Sequence, residues 1–153
     1  MKPKLLVSAC LLGTPCRYDG KAKRNDAVCA LSERFELIAV CPEQLGGLPT
    51  PRVPSERRGE RVVTRDGRDV TENYRLGARR ALAIAQREGV SAAVLKERSP
   101  SCGRGEVYDG TFTGTLTPGD GVTAELFAAS GLAVYGESDC AGAEDAPLLR
   151  HFP

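Results

Sequence analysis

Four short apolar runs constrain this chain more than any other feature: "KLLVSA" (4–9), "FELIAV" (35–40), "SAAVL" (91–95) and "LAVYGE" (132–137). Each is too short for a buried helix and is bounded by Gly, Pro or polar residues, so each reads as a strand covered on both faces. Helical periodicity fills much of the sequence between them. Strands alternating with helices predict an α/β fold with a three-layer, mostly parallel, Rossmann-like sheet and a ligand site at the carboxyl ends of its strands.

The intervening segments carry their own punctuation. "DAVCALSER" (26–34) predicts a short helix. "GGLPTPRVPSERRGERVV" (46–63), with three prolines, reads as a loop leading into a hairpin over "RVVTRDGRDV" (61–70) that turns at Asp66-Gly67. A helix capped by Asp69 or Thr71 follows, with Tyr74, Ala78, Ala81, Leu82 and Ala85 on one face and Gly89 at its end. "EVYDGTFTGTL" (106–116) predicts a hairpin around Asp109-Gly110, and "DGVTAELFAASG" (120–131) a helix closed by Gly131. From Ser138 an acidic, Ala-rich tail reads as the partly ordered end of a single domain over 1–153.

Composition removes several classes of function. The 153 residues carry 21 Lys and Arg against 20 Asp and Glu, so net charge gives no argument for nucleic acid or an anionic membrane. No apolar run approaches the roughly 18 residues of a membrane span. "LLVSAC" is shorter than the roughly 7 to 15 residues of a secretory core. A cytoplasmic protein with reduced thiols is therefore expected, and composition leaves the oligomeric state open.

Six cysteines stand at 10, 16, 29, 41, 102 and 140, with no CxxC pair, hence no thioredoxin-like centre or zinc ribbon. Cys10 directly follows the first strand, Cys41 the second, and Cys102 lies in the loop after the third. In a parallel sheet these three thiols converge at one crevice. Cys29 reads as a small buried hydrophobe and Cys140 as part of a solvated coil. Three thiolates suit zinc or an iron-sulfur cluster. A [4Fe-4S] cluster on three cysteines keeps one iron without a protein ligand, whereas Cys16, six residues after Cys10, is the rival fourth ligand that would close it.

Taken together, "VSACLLGTPCRYDG" (7–20), "VCPEQLGGLPTPR" (40–52), "DVTENYRLGA" (69–78), "LKERSPSCG" (95–103) and "VYDGTFTG" (107–114) resemble the 2-thiouracil desulfidase family. The resemblance implies a [4Fe-4S] cluster on Cys10, Cys41 and Cys102, with the fourth iron binding the sulfur of a thiolated pyrimidine. Replacing C=S by C=O also needs an activated water. Glu43, two residues after Cys41, is the candidate general base, and Ser99 or Ser101 a proton relay or substrate anchor. Tyr18 could stack on a pyrimidine while Asp19 or Asn25 reads its edge, and Lys96 and Glu97 could pair with that segment.

Two other functions compete at this stage. One is a zinc or iron-sulfur protein that handles RNA through Arg52, Arg57, Arg58, Arg61, Arg65 and Arg68, although interleaved acids make a solvated loop face the better reading. The other is a redox enzyme using Cys102 as a low-pKa nucleophile, which leaves Cys10 and Cys41 unexplained.

Overall fold

A computed structural model describes residues 2–141 and 146–152, so part of the tail, 142–145, lies outside the described residues. In chain order the elements are β1 (Lys4–Ser8), α1 (Asp26–Ala30), β2 (Glu36–Val40), α2 (Pro42–Leu45), β3 (Ser55–Arg58), β4 (Arg61–Thr64) and α3 (Thr71–Glu88). There follow β5 (Ala92–Leu95), β6 (Glu106–Tyr108), β7 (Leu116–Pro118), α4 (Val122–Ala129), β8 (Ala133–Gly136) and α5 (Pro147–His151).

The four apolar runs form one sheet in the order β2-β1-β5-β8. Every pairing in it is parallel, with Leu6 beside Ile38 and Ala93, and Val94 beside Tyr135. The chain moves outward from β1 to β2, then crosses back to place β5 on the other side of β1. The order reverses between β1 and β5, which makes their carboxyl ends the topological switch point where open α/β sheets bind ligands.

Strand alternation sorts the core into two layers. Leu5, Val7, Ala92 and Val94 pack on one face against Val28, Leu31, Phe35 and Leu148, which belong to α1, α5 and the segment before β2. Leu6, Ala93 and Leu95 pack on the other face against Ala81, Ala85, Ala124 and Phe127 of α3 and α4. The sheet and its two helical layers bear out the expected three-layer architecture.

The prolines and charges of 46–63 concealed a strand. The antiparallel hairpin is β3 against β4, with Arg58 beside Arg61 at its tip, and the turn is Gly59-Glu60. Asp66-Gly67 makes a second turn that returns the chain to a single bridge between Val63 and Asp69. β3 carries no apolar pattern because tertiary partners hold its arginines. Arg57 donates to Asp120 O (2.7 Å) and pairs with Glu125 (2.9 Å), and Arg58 donates to Gly110 O (2.7 Å).

The tail also differs from expectation. Cys140 is buried at 6% exposure in a 3-10 turn, Glu137–Cys140, rather than lying in solvated coil. Beyond the undescribed segment, α5 buries Leu148 completely, and Phe152 meets Phe35 edge-on at 4.8 Å between ring centroids.

Candidate active site

Each strand-end cysteine is set by a different local device. β1 runs into a 3-10 turn, Ala9–Leu12, that places Cys10 in its first half and is closed by Gly13. Cys41 is the extended residue before α2, whose first helical position is Pro42. Cys102 lies in a turn tied by Ser99, whose hydroxyl accepts the N–H groups of Ser101 and Cys102, both at 3.1 Å. Gly103 closes that turn by donating to Ser99 O at 2.9 Å, and a Cβ there would stand 2.9 Å from both Ser99 O and Val107 Cγ1.

These loops meet at one cavity of about 580 Å³, lined by Cys10, Cys16, Cys41 and Cys102 among others. All six cysteines of the chain are free thiols. Hydrogen bonding to Cys10, with burial adding, pushes the Cys16 thiol up to about 11. Cys41 is raised further by its bond to Cys16 and by burial. Burial raises Cys102 to about 12, against the opposing effect of hydrogen bonds from Ser8 and Ser101. Such thiols become thiolates when a cation sits beside them.

Glu43, at the start of α2 and two residues after Cys41, also lines the cavity. One carboxylate oxygen, Oε1, accepts the Tyr74 hydroxyl at 2.8 Å, and the other is ion-paired with Arg52. The carboxylate is only 15% exposed and the guanidinium 6%. Arg52 Nη2 also donates to Cys16 O at 2.9 Å, and its backbone N–H donates to Tyr18 O at 2.7 Å. The site thus combines clustered thiols, one fixed carboxylate and an aromatic rim of Tyr18, Tyr108 and Phe112.

Residues 5–139 match the sequence family described as 2-thiouracil desulfurase. The chain belongs to the 2-thiouracil desulfurase family. Its sequence is 42% identical over 145 residues to the "Uncharacterized protein YbbK" of Bacillus subtilis (strain 168), covering 88% of this chain and 96% of that protein. Its fold is similar to the solved structure of the [4Fe-4S]-dependent thiouracil desulfidase TudS, with a TM-score of 0.89 and 44% identity over 99% of this chain and all of that one.

The donor set of this desulfurase-family chain, soft thiols from three loops lining one cavity, fits an iron-sulfur cluster. Zinc and iron-sulfur centres differ in how their thiolates are arranged. Each thiolate of a cluster meets its own iron, so cluster ligands stand around a larger object. Thiols on three separate loops lining one cavity meet that requirement.

Other residues singled out by sequence fall on both sides of the cavity wall. Tyr18, 41% exposed, and Ser99 border it. The Ser101 hydroxyl is buried against Thr123 Oγ1 at 2.8 Å and is not part of the lining. Asn25 caps α1 by accepting the Val28 N–H at 3.1 Å, and Asp19 accepts the Lys21 N–H at 3.0 Å; neither lines the cavity. Lys96 pairs with Glu137 (2.8 Å) and Glu97 accepts the Ser138 N–H (2.8 Å), so both engage the tail instead of the 16–25 segment.

Of the six arginines between 52 and 68, Arg58, Arg61, Arg65 and Arg68 are exposed, as expected of a solvated loop face, whereas Arg52 and Arg57 are not. Arg52 and Arg57 are largely buried in ion pairs, Arg58 is tied to Gly110 O, and Arg61 and Arg68 face Asp69 and Asp66. Cys102, 5% exposed, lacks the accessibility of a redox nucleophile. Tyr108 and Phe112 are site residues that the sequence did not single out, and Arg52 and Tyr74 appear there only as members of an arginine patch and of a helix face. The one available signal was Arg52 itself, which closes the "VCPEQLGGLPTPR" motif. Among the described residues no helix is long and apolar enough to cross a membrane.

Proposed function

We propose that this chain desulfurates a small thiolated pyrimidine of the 2-thiouracil type. Water replaces sulfur at the ring carbon, C=S becomes C=O, and sulfide leaves with the two protons of that water, without net oxidation or reduction. In this reading Cys10, Cys41 and Cys102 hold a [4Fe-4S] cluster, one iron has no protein ligand, and Cys16 remains a thiol. When bound, the cluster supplies a Lewis-acidic, thiophilic iron that polarises the thiocarbonyl. Residues 1–153 act as one domain.

The chain's own groups perform the remaining work. Glu43 accepts a proton from the attacking water and returns it toward the departing sulfide. Tyr18, Tyr108 and Phe112 offer apolar surface to a planar ring and limit bulk water. Of the two serines of the Cys102 turn, Ser99 is the one that lines the cavity, within reach of substrate. Its hydroxyl retains a proton to donate while its oxygen accepts the two N–H groups of the turn.

The observation that carries this reading is one cavity lined both by three strand-end cysteines and by a carboxylate engaged on both oxygens. Anaerobic incubation of reconstituted protein with 2-thiouracil tests it. The expected products are uracil and sulfide in equal amounts with no added oxidant or reductant. A requirement for reductant, or sulfur appearing at another oxidation level, contradicts it.

A further inference from the structure

We infer that Tyr74 and Arg52 are positioning residues, which fix the Glu43 carboxylate for proton transfer. This rests on the reading of Glu43 as the proton acceptor, and its test separates the two.

The clamp engages both oxygens from different directions. Tyr74, on α3, donates to Oε1 at 2.8 Å, while Arg52, in the loop after α2, pairs with Oε2. A carboxylate offers about four acceptor sites, so each oxygen retains a lone pair for water after these two bonds. α2 has only four residues and cannot orient a side chain by its own rigidity. The restraint must come from outside it.

That outside support is built in two places. Gly46 and Gly77 let the backbones of α2 and α3 touch: a Cβ at Gly77 would fall 1.9 Å from Pro42 O, and one at Gly46 would fall 2.0 Å from Asn73 O. This contact sets the reach of Tyr74, itself 3% exposed. Arg52 is held by Pro49 O (3.2 Å) and Thr50 Oγ1 (3.0 Å), and Thr50 Oγ1 also accepts Gln44 Nε2 (2.9 Å). Since Arg52 also binds Cys16 O, one guanidinium relates the proton acceptor to a loop of the proposed cluster site.

A merely structural pair and a positioning pair differ in kinetics. Misplacing a reacting group by about 1 Å can cost up to a hundredfold in rate while binding is preserved. Tyr74→Phe keeps the ring and removes only the hydroxyl. It should lower kcat roughly tenfold, leave KM within about twofold and leave iron content unchanged. Arg52→Lys should retain more turnover than Arg52→Met, because it keeps a cation beside the buried carboxylate.

The decisive comparison is the double variant. Glu43→Gln combined with Tyr74→Phe should be no slower than Glu43→Gln alone, since Tyr74 acts only through the carboxylate. A crystal structure of cluster-loaded Tyr74→Phe protein should show the Glu43 side chain moved from its place between Arg52 and the α3 helix. Multiplying defects in the double variant, or wild-type turnover in Tyr74→Phe beside an impaired Glu43→Gln, would overturn the positioning role. Wild-type turnover in Glu43→Gln would instead overturn Glu43 as the acceptor.

Discussion

Tyr74 and Glu43, 31 residues apart in the chain, are joined by a hydrogen bond of 2.8 Å between hydroxyl and carboxylate. The bond exists because α2 and α3 approach until their backbones touch at Gly46 and Gly77. Catalytic geometry and helix packing are therefore one feature. Gly77→Ala must push the helices apart, and overpacking of this kind costs about 1 to 3 kcal/mol. Urea unfolding should show that loss, and uracil formation should fall further than the fraction unfolded explains. Unchanged stability and turnover would mean that the contact is dispensable.

Phe112 sits at φ 58, a left-handed conformation that is unusual for an aromatic residue. Glu56 holds it there by accepting the N–H groups of Gly110 (3.0 Å) and Phe112 (3.1 Å), and the ring borders the cavity. Backbone strain maintained at a binding edge points to a role for the side chain. Phe112→Ala keeps the backbone conformation and removes the ring, together with its contact to the Arg65 guanidinium at 5.7 Å. KM for 2-thiouracil should rise by the equivalent of about 1 to 3 kcal/mol, with a smaller change in kcat. Steady-state kinetics checks this.

Ser101 and Thr123 share a buried hydroxyl pair at 2.8 Å. Removing one partner leaves the other without it, a loss of about 1 to 3 kcal/mol. Ser101→Ala should therefore destabilise, and adding Thr123→Val should restore most of the loss. Turnover per folded molecule should fall in Ser99→Ala, because Ser99 lines the cavity and ties the turn that carries Cys102. Paired denaturation and activity assays separate these effects.

Lys4 on β1 bonds Glu88 at the end of α3 at 2.9 Å. That bond holds the Glu88 carboxyl below its usual range and raises Lys4. The Glu88 contribution is present above about pH 4.3, the ordinary carboxyl value, and is lost as pH falls through its depressed native value. The Lys4 contribution is complete below about pH 10.4 and is lost as pH rises through its elevated native value. Glu88→Gln should lower Tm slightly at neutral pH and leave it unchanged in strong acid. Thermal scans at three pH values test the window.

Much of this was legible because short, uninterrupted apolar runs allow few alternatives to buried parallel strands. Once those strands are parallel, cysteines at their carboxyl ends must share an edge, which is why Cys10, Cys41 and Cys102 could be grouped in advance. β3 was not legible, since "SERR" gains its register from β4 and its anchors from Gly110, Asp120 and Glu125. Tyr74 lay on the buried face of a helix and looked like packing. Its chemistry depends on where α2 comes to rest, and no local pattern encodes that. Cys140 was misread for a similar reason: the Glu137–Cys140 turn and α5 bury it among residues such as Leu148.

The Mössbauer spectrum of anaerobically reconstituted, iron-57-labelled protein, recorded with and without 2-thiouracil, reaches the central claim directly. Three thiolate-bound irons and one distinct iron, whose signal alone shifts when 2-thiouracil is added, is the predicted result. Four equivalent thiolate-bound irons indifferent to 2-thiouracil would place Cys16 on the fourth corner and contradict the account.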